Sequence, residues 1–207
     1  MLTTLNEKVD PKHTALVVVD MQNDFCHEDG AKAHDGADVS HVQGIVPALQ
    51  SLVDGAHEAG IPVIFTQAVH NQWTDTEVRL ERHRTQSPNC IEGTWGAEFY
   101  GVLPDDRDMR LPKARYSAFL GTEFDRVLRM RGVRSLVMTG TATSGCVEST
   151  ARDGFMRDYY VVVVPDCCAQ GNPERHEASL KAMDGPIGVL ATSEEILSAW
   201  AELGRPG

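Results

Sequence analysis

Leu136-Val-Met-Thr-Gly-Thr-Ala-Thr-Ser-Gly-Cys-Val-Glu-Ser-Thr150 is the stretch on which the fold turns. An apolar run gives way to small residues and then to a helical pattern, so the segment reads as strand, tight turn and helix, with the thiol of Cys146 at the junction. A cysteine on the first turn of a helix faces unpaired backbone N–H groups and the positive end of the helix dipole. Both favour thiolate over thiol, and the expectation is a nucleophile.

Working outward, residues 135–139 form the strand. The helix at 123–130 precedes it and stops near Gly132. Downstream come a strand at 160–164, a helix at 174–183, a short strand at 187–191 and a closing helix capped by Thr192 or Ser193. Upstream, Ala15-Leu-Val-Val-Val-Asp20 reads as a strand buried on both faces. A helix at 42–59 ends at Gly60, and Ile61-Pro-Val-Ile-Phe-Thr66 gives the next strand. Met109-Arg-Leu-Pro-Lys113 is a short segment leading toward the same sheet edge. This alternation predicts a single α/β domain over 1–207: three layers, with a doubly wound, mostly parallel six-stranded sheet and helices on both faces. Ligands would bind beyond the carboxyl ends of the strands. Residues 69–108 are irregular and hold Trp73, Trp95, Phe99 and Tyr100, as a pocket wall or subunit contact would.

Composition narrows the function. The 207 residues are 42% hydrophobic and 24% charged, ordinary for a globular domain. A net charge of −11 argues against nucleic acid or an anionic membrane as a partner, and favours a small-molecule substrate. The first residues lack a signal-like apolar core and no apolar stretch reaches the ~18 residues of a membrane span, so a cytoplasmic protein is expected. Cys26, Cys90, Cys146, Cys167 and Cys168 are odd in number and without zinc-ribbon spacing, which predicts reduced thiols.

Asp20 closes an apolar strand, Cys146 follows another and Lys113 leads to the same edge. A carboxylate ending four apolar residues needs a partner, and Lys113 could supply it. Asp20 could then take the thiol proton while the sulfur attacks a carbonyl carbon. Taken singly, each has a plainer reading: Asp20 as a turn cap, Lys113 as a solvated charge, Cys146 as a small core hydrophobe.

Asp20-Met-Gln-Asn-Asp-Phe25, Leu111-Pro-Lys-Ala-Arg-Tyr-Ser-Ala-Phe119 and the segment from Thr139 through Cys146 to Phe155, in this order and spacing, resemble the isochorismatase-like cysteine hydrolases. The resemblance implies a catalytic triad of Asp20, Lys113 and Cys146. It also implies a cis peptide between Thr141 and Ala142, with an oxyanion hole formed by the N–H groups of Ala142 and Cys146. It further implies a homo-oligomer, dimer or tetramer. The motifs look most similar to the ureidoacrylate, biuret and N-carbamoylsarcosine amidohydrolases. The nicotinamidase branch carries an Asp-x-His…His metal site where this chain reads Gln67-Ala-Val-His-Asn-Gln-Trp73, so no metal or other cofactor is expected. The substrate implied is a small amide or ureide; isochorismate, nicotinamide and a catalytically silent binding role on the same fold are the alternatives. Gln22, Phe25, His70, Trp73 and Tyr116 are candidate pocket residues, though such aromatics are as often core.

Two other classes compete. Gly140-Thr-Ala-Thr-Ser-Gly-Cys-Val147 has the glycine spacing of a P-loop, but Cys146 and Val147 stand where Lys and Ser/Thr would hold phosphate and Mg²⁺. Cys146 and Arg152 have the spacing of Cys-dependent phosphatases, but no glycine lies between them and Glu148 would repel a phosphate dianion. Glu148 and Arg152, at i and i+4, are expected to pair. Cys167 and Cys168 are read as packing residues, and Cys26 as a pocket edge.

Overall fold

Six parallel strands form one sheet in the computed structural model, which describes residues 1–203: β1 Thr14–Val19, β2 Val63–Ala68, β3 Met109–Lys113, β4 Ser135–Thr141, β5 Tyr160–Ala169 and β6 Val189–Leu190. Their spatial order is β3-β2-β1-β4-β5-β6, so the chain winds outward from β1 in one direction and then returns to build the other half from β4. The principal helices are α1 (Val46–Glu58), α2 (Phe124–Met130), α3 (Glu148–Phe155), α4 (Pro173–Met183) and α5 (Ser193–Leu203).

Strand alternation sorts the core into two layers. Leu16 and Val18 of β1, Val137 of β4 and Val162 and Val164 of β5 pack with Leu49, Leu52 and Ala56 of α1 and Ile196 and Trp200 of α5. Val17 and Val19, Leu136 and Met138, and Val161 and Val163 face the other way, onto Phe124 and Leu128 of α2, Ala151 of α3, and Leu180 and Met183 of α4. The central strands are buried on both faces because a parallel sheet is covered on both sides, which explains their unbroken Val/Leu/Ile runs.

Local departures have identifiable causes. Strand β5 continues five residues beyond the expected end at 164, through Pro165, because a bulge between Met138 and Gly140 shifts the register there; Cys167 and Cys168 therefore lie within the sheet, fully buried. The helix expected at 42–59 divides into Ser40–Gly44 and α1, with a proline in the first turn of α1. The segment Met109–Lys113 is a full strand, and Pro112 is tolerated there because β3 pairs only with β2. Strand β6 shrinks to two residues. No described helix is long and apolar enough to cross a membrane.

Candidate active site

Winding reverses between β1 and β4, and in doubly wound sheets ligands bind beyond the carboxyl ends of the strands at such a reversal. Asp20 follows β1 directly. Alternation would send its side chain toward the layer of Leu16 and Val18, but Asp20 adopts a left-handed conformation (φ 48°), and its carboxylate instead meets Thr66 of β2. Aspartate is among the few residues that tolerate this region. Thr66 Oγ1 donates to Asp20 Oδ1 at 2.6 Å and accepts the Asp20 N–H at 3.2 Å.

Lys113 ends β3, two strands away, so its stem crosses β2, where the neighbours Thr66 and Ala68 are small. Its Nζ lies 2.7 Å from Asp20 Oδ2, and the two side chains are 1% and 0% exposed. The same Nζ donates to the Arg115 carbonyl at 2.9 Å and contacts Cys146 Sγ at 3.3 Å. Asp20 Oδ2 is ionically paired with the lysine yet receives no aligned hydrogen bond, so it keeps a lone pair for another proton.

Cys146 stands just ahead of the helix rather than on its first turn. Residues Thr143–Val147 form a wide turn, kinked at Gly145 (φ −116°, ψ −105°), and α3 begins at Glu148. The peptide between Thr141 and Ala142 is cis, and the Ala142 N–H has no hydrogen-bond partner among the described residues. Gly140 is required just upstream: it has φ 99°, and a Cβ there would collide with the Val19 carbonyl of β1. The turn is held from outside. Gln170 Oε1 accepts the Ser144 N–H at 2.8 Å, His176 Nδ1 meets Thr143 Oγ1 at 2.8 Å, and Ser179 of α4 donates to Glu148 at 2.5 Å. The Lys113 segment is tied to α3 as well, since Ser117 donates to Asp153 at 2.5 Å and Thr150 accepts the Ala118 N–H at 3.0 Å.

Electrostatics at the cysteine differ from the expectation of a favoured thiolate. Burial pushes the thiol up from its ordinary value, Asp20 pushes it further as a nearby charge, and Lys113 offsets only part. Lys113 is pulled down by burial, but the Asp20 charge and then Cys146 outweigh that and raise it. Burial and the Asp20 charge therefore favour the protonated thiol beside the Lys113–Asp20 ion pair, with the carboxylate placed to take its proton.

Other expected site residues separate into roles. Gln22 is fully buried with its amide spent on backbone: Nε2 donates to the carbonyls of Ala68 and Ala97, both at 2.9 Å, and Oε1 accepts the Ala68 N–H at 2.7 Å. It ties the end of β2 to the 95–97 turn and has nothing left for a ligand, which corrects its placement in the pocket. Cys26 is a fully buried core residue, not a pocket edge. Phe25 is half-buried against Ala68, Cys90 and Ala97. Trp73 is 85% exposed and Tyr116 55% exposed, so neither is a formed wall in the isolated chain. His70 is buried, its Nδ1 has no partner, and its pKa falls to about 4 through burial first and then the cations Arg79, Lys113 and Arg115, against Asp75. Arg152 pairs with Glu148 at 2.7 Å, so it is not held for phosphate. Thr66, Gln170, His176 and Ser179 went unread in the sequence; of these only Thr66 left a signal, a lone hydroxyl inside an apolar strand. The cysteines are all free. Among the described residues one cluster of metal-type ligands occurs, His57, Asp105 and Asp108, and it lies beside the starts of β2 and β3, at the opposite end of the sheet.

Sheet order and the contact of Cys146 with a buried Asp20–Lys113 pair at the switch point together define an α/β protein of the cysteine-hydrolase type. A model of the isochorismatase domain matches residues 14–195, and the chain belongs to that family of hydrolases. It is 35% identical to the ureidoacrylate amidohydrolase RutB of Enterobacter sp. (strain 638), over 91% of this chain and 90% of that one. Among solved structures it is similar to a cysteine hydrolase from Pseudomonas syringae pv. phaseolicola 1448A (TM-score 0.83, 26% identity, 95% and 96% of the two chains). It is also similar to an N-carbamoylsarcosine amidase from Thermoplasma acidophilum (TM-score 0.72, 26% identity, 88% and 98%).

Proposed function

We propose that the protein is a cysteine amidohydrolase that cleaves a C–N bond of a small ureide, with Asp20 as base, Lys113 as its fixed counter-charge and Cys146 as nucleophile. The observation that carries this reading is the contiguity of the three groups, a buried Asp–Lys pair against a partly exposed cysteine: Lys113 Nζ touches both Asp20 Oδ2, at 2.7 Å, and Cys146 Sγ, at 3.3 Å. Asp20 takes the thiol proton as sulfur attacks the ureide carbonyl, so the raised thiol pKa is no obstacle: the proton leaves during attack. Charge developing on the carbonyl oxygen is met by the N–H groups of Ala142 and Cys146. Collapse breaks the C–N bond, and the departing nitrogen takes the proton back from Asp20, leaving as ammonia or an amine. Water, deprotonated by Asp20, then attacks the thioester or thiocarbamate. The resulting intermediate expels the sulfur, which regains its proton.

The ureide assignment is supported by the relatives, among them amidohydrolases named for ureidoacrylate and N-carbamoylsarcosine. The protein works in the cytoplasm as a dimer or tetramer, a reading that rests on the free thiols and on family likeness. Ammonia release from a panel of ureides, primary amides and nicotinamide, with the oligomer size measured by light scattering on the same preparation, tests this. Turnover of at least one ureide is expected; turnover confined to nicotinamide, or none across the panel, overturns it.

A further inference from the structure

The turn that carries Cys146 is gripped by a segment that carries no reacting group. Within the turn, the Ala142 carbonyl accepts the N–H groups of Gly145 at 2.9 Å and Val147 at 3.3 Å. Those bonds close the turn on itself without fixing where it sits against Asp20 and Lys113. Side chains that follow β5 do that. Gln170 Oε1 accepts the Ser144 N–H at 2.8 Å, while Gln170 Nε2 donates to the Asn172 carbonyl at 3.2 Å. Asn172 caps α4, its Oδ1 accepting the Arg175 N–H at 2.9 Å. Further along α4, a hydrogen bond of 2.8 Å joins His176 Nδ1 to Thr143 Oγ1, and Ser179 Oγ donates to Glu148 Oε2 at 2.5 Å.

These contacts are polar where hydrocarbon would serve for packing. His176, Ser179, Leu180 and Met183 share one face of α4 by their spacing, and Leu180 and Met183 pack into the apolar layer that holds Ala151 of α3. Thr143 is 0% exposed, Ser179 3% and Gln170 8%. A buried polar pair adds little net stability over an apolar pair of the same shape, but it bonds in one arrangement only. Two such pairs on the consecutive residues Thr143 and Ser144 therefore specify a geometry. On one side they adjoin Ala142, whose N–H has no partner among the described residues; on the other, Cys146 is two residues past Ser144.

We propose that Gln170 and His176 are positioning residues for acyl transfer: they hold Thr143 and Ser144 so that the Ala142 and Cys146 N–H groups stay aimed at the oxygen of the carbonyl under attack. The inference rests on the reading of Cys146 as nucleophile and of those two N–H groups as its oxyanion donors. Such donors act only when already in place, and a displacement of about 1 Å is enough to cost about 10²-fold in rate. Neither side chain touches the substrate; each acts through the backbone it holds.

Two reactions of the same thiol separate this role from a general loosening of the fold. p-Nitrophenyl acetate acylates Cys146 through a tetrahedral oxyanion: sulfur bonds to the carbonyl carbon, the thiol proton passes to Asp20, and collapse expels p-nitrophenolate. Iodoacetamide alkylates the same sulfur by displacing iodide, with no oxyanion to stabilise. Gln170→Met and His176→Leu are each expected to slow acylation about 30-fold while alkylation changes less than about threefold. His176→Asn, whose amide can replace Nδ1 as donor or acceptor, is expected to stay within about fivefold of the parent and guards against a folding defect in the leucine variant. Equal slowing of both reactions, slowing of neither, no recovery in the asparagine variant, or no Cys146-dependent acylation of the parent overturns the proposal. The expected pattern together with a silent ammonia panel would instead overturn the amidohydrolase reading and leave the positioning role standing.

Discussion

At the carboxyl end of the strands Lys113 and Asp20 meet at 2.7 Å with side chains 1% and 0% exposed; at the amino end Arg107 and Asp105 meet at 2.5 Å, 65% and 43% exposed. The shorter contact is the weaker one in consequence, because water and salt screen it, while the buried pair has nothing but its partners to hold its charges. The amino end gathers ionisable groups too, with His57 joined to Asp108 at 2.7 Å. What distinguishes the two ends is exclusion of water and a neighbouring nucleophile. A buried charge pair is costly to assemble and reactive once a third group is placed against it.

The largest effect expected is at the nucleophile. Cys146→Ala should lower ureide turnover about 10⁴-fold or more while leaving the thermal midpoint close to that of the parent, as checked by ammonia release and calorimetry. Substantial residual activity would erase the distinction between the two ends. Next come the paired charges. Asp20→Asn should reduce kcat/KM about 10³-fold, and Lys113→Met should also destabilise the fold by about 3–5 kcal/mol, because it strands a buried carboxylate. The double variant should regain stability without regaining activity, whereas Asp105→Asn at the amino end should change neither. Urea unfolding alongside steady-state kinetics reads both quantities, and additive losses in the double variant would show that the buried pair is not coupled.

A smaller effect separates scaffold from pocket. Gln22→Ala, which removes three buried hydrogen bonds, should cost about 2–3 kcal/mol in urea unfolding. A loss of substrate affinity with stability intact would return Gln22 to the pocket. The mildest effect is in pH. Folded His70 has its pKa lowered from 6.5 to about 4, so the unfolded chain binds the extra proton first; His70 favours the fold above pH 6.5, and that contribution fades as pH falls toward 4. Urea midpoints at pH 7 and pH 4.5 should therefore differ more in the parent than in His70→Asn; equal differences would mean the ring is not held neutral.

Much of this was legible in the residues. Runs such as Ala15–Val19 and Ser135–Thr139 are buried on both faces, so their continuous apolar character announced strands, and the helices between them announced a parallel sheet. Asp20, Lys113 and Cys146 were legible because strand ends in a doubly wound sheet converge. Where sequence failed, the missing information was about partners. Nothing in Gln22 says that its amide is consumed by Ala68 and Ala97. The strand read at 160–164 falls five residues short of β5 because the irregularity that lets it continue lies in its pairing with β4. The state of the Cys146 thiol was misjudged because a dipole argument weighs the helix terminus and omits burial and the Asp20 charge, which act against it.

Lys113 belongs to β3, a five-residue edge strand that pairs on one side only, with Arg110 and Pro112 exposed and without a Pro112 N–H to give. Edge elements open locally at free energies below that of global unfolding. The lysine that holds Asp20 is thus mounted on one of the sheet's two edge strands, where local opening begins. Activity is expected to vanish in urea concentrations that leave the helices and the β1–β4–β5 centre unchanged, with Leu111 and Lys113 amides exchanging ahead of the core. Catalytic competence would then report the tightness of the sheet's rim, and reinforcing β2–β3 packing would extend the working range of the enzyme without touching a reacting atom.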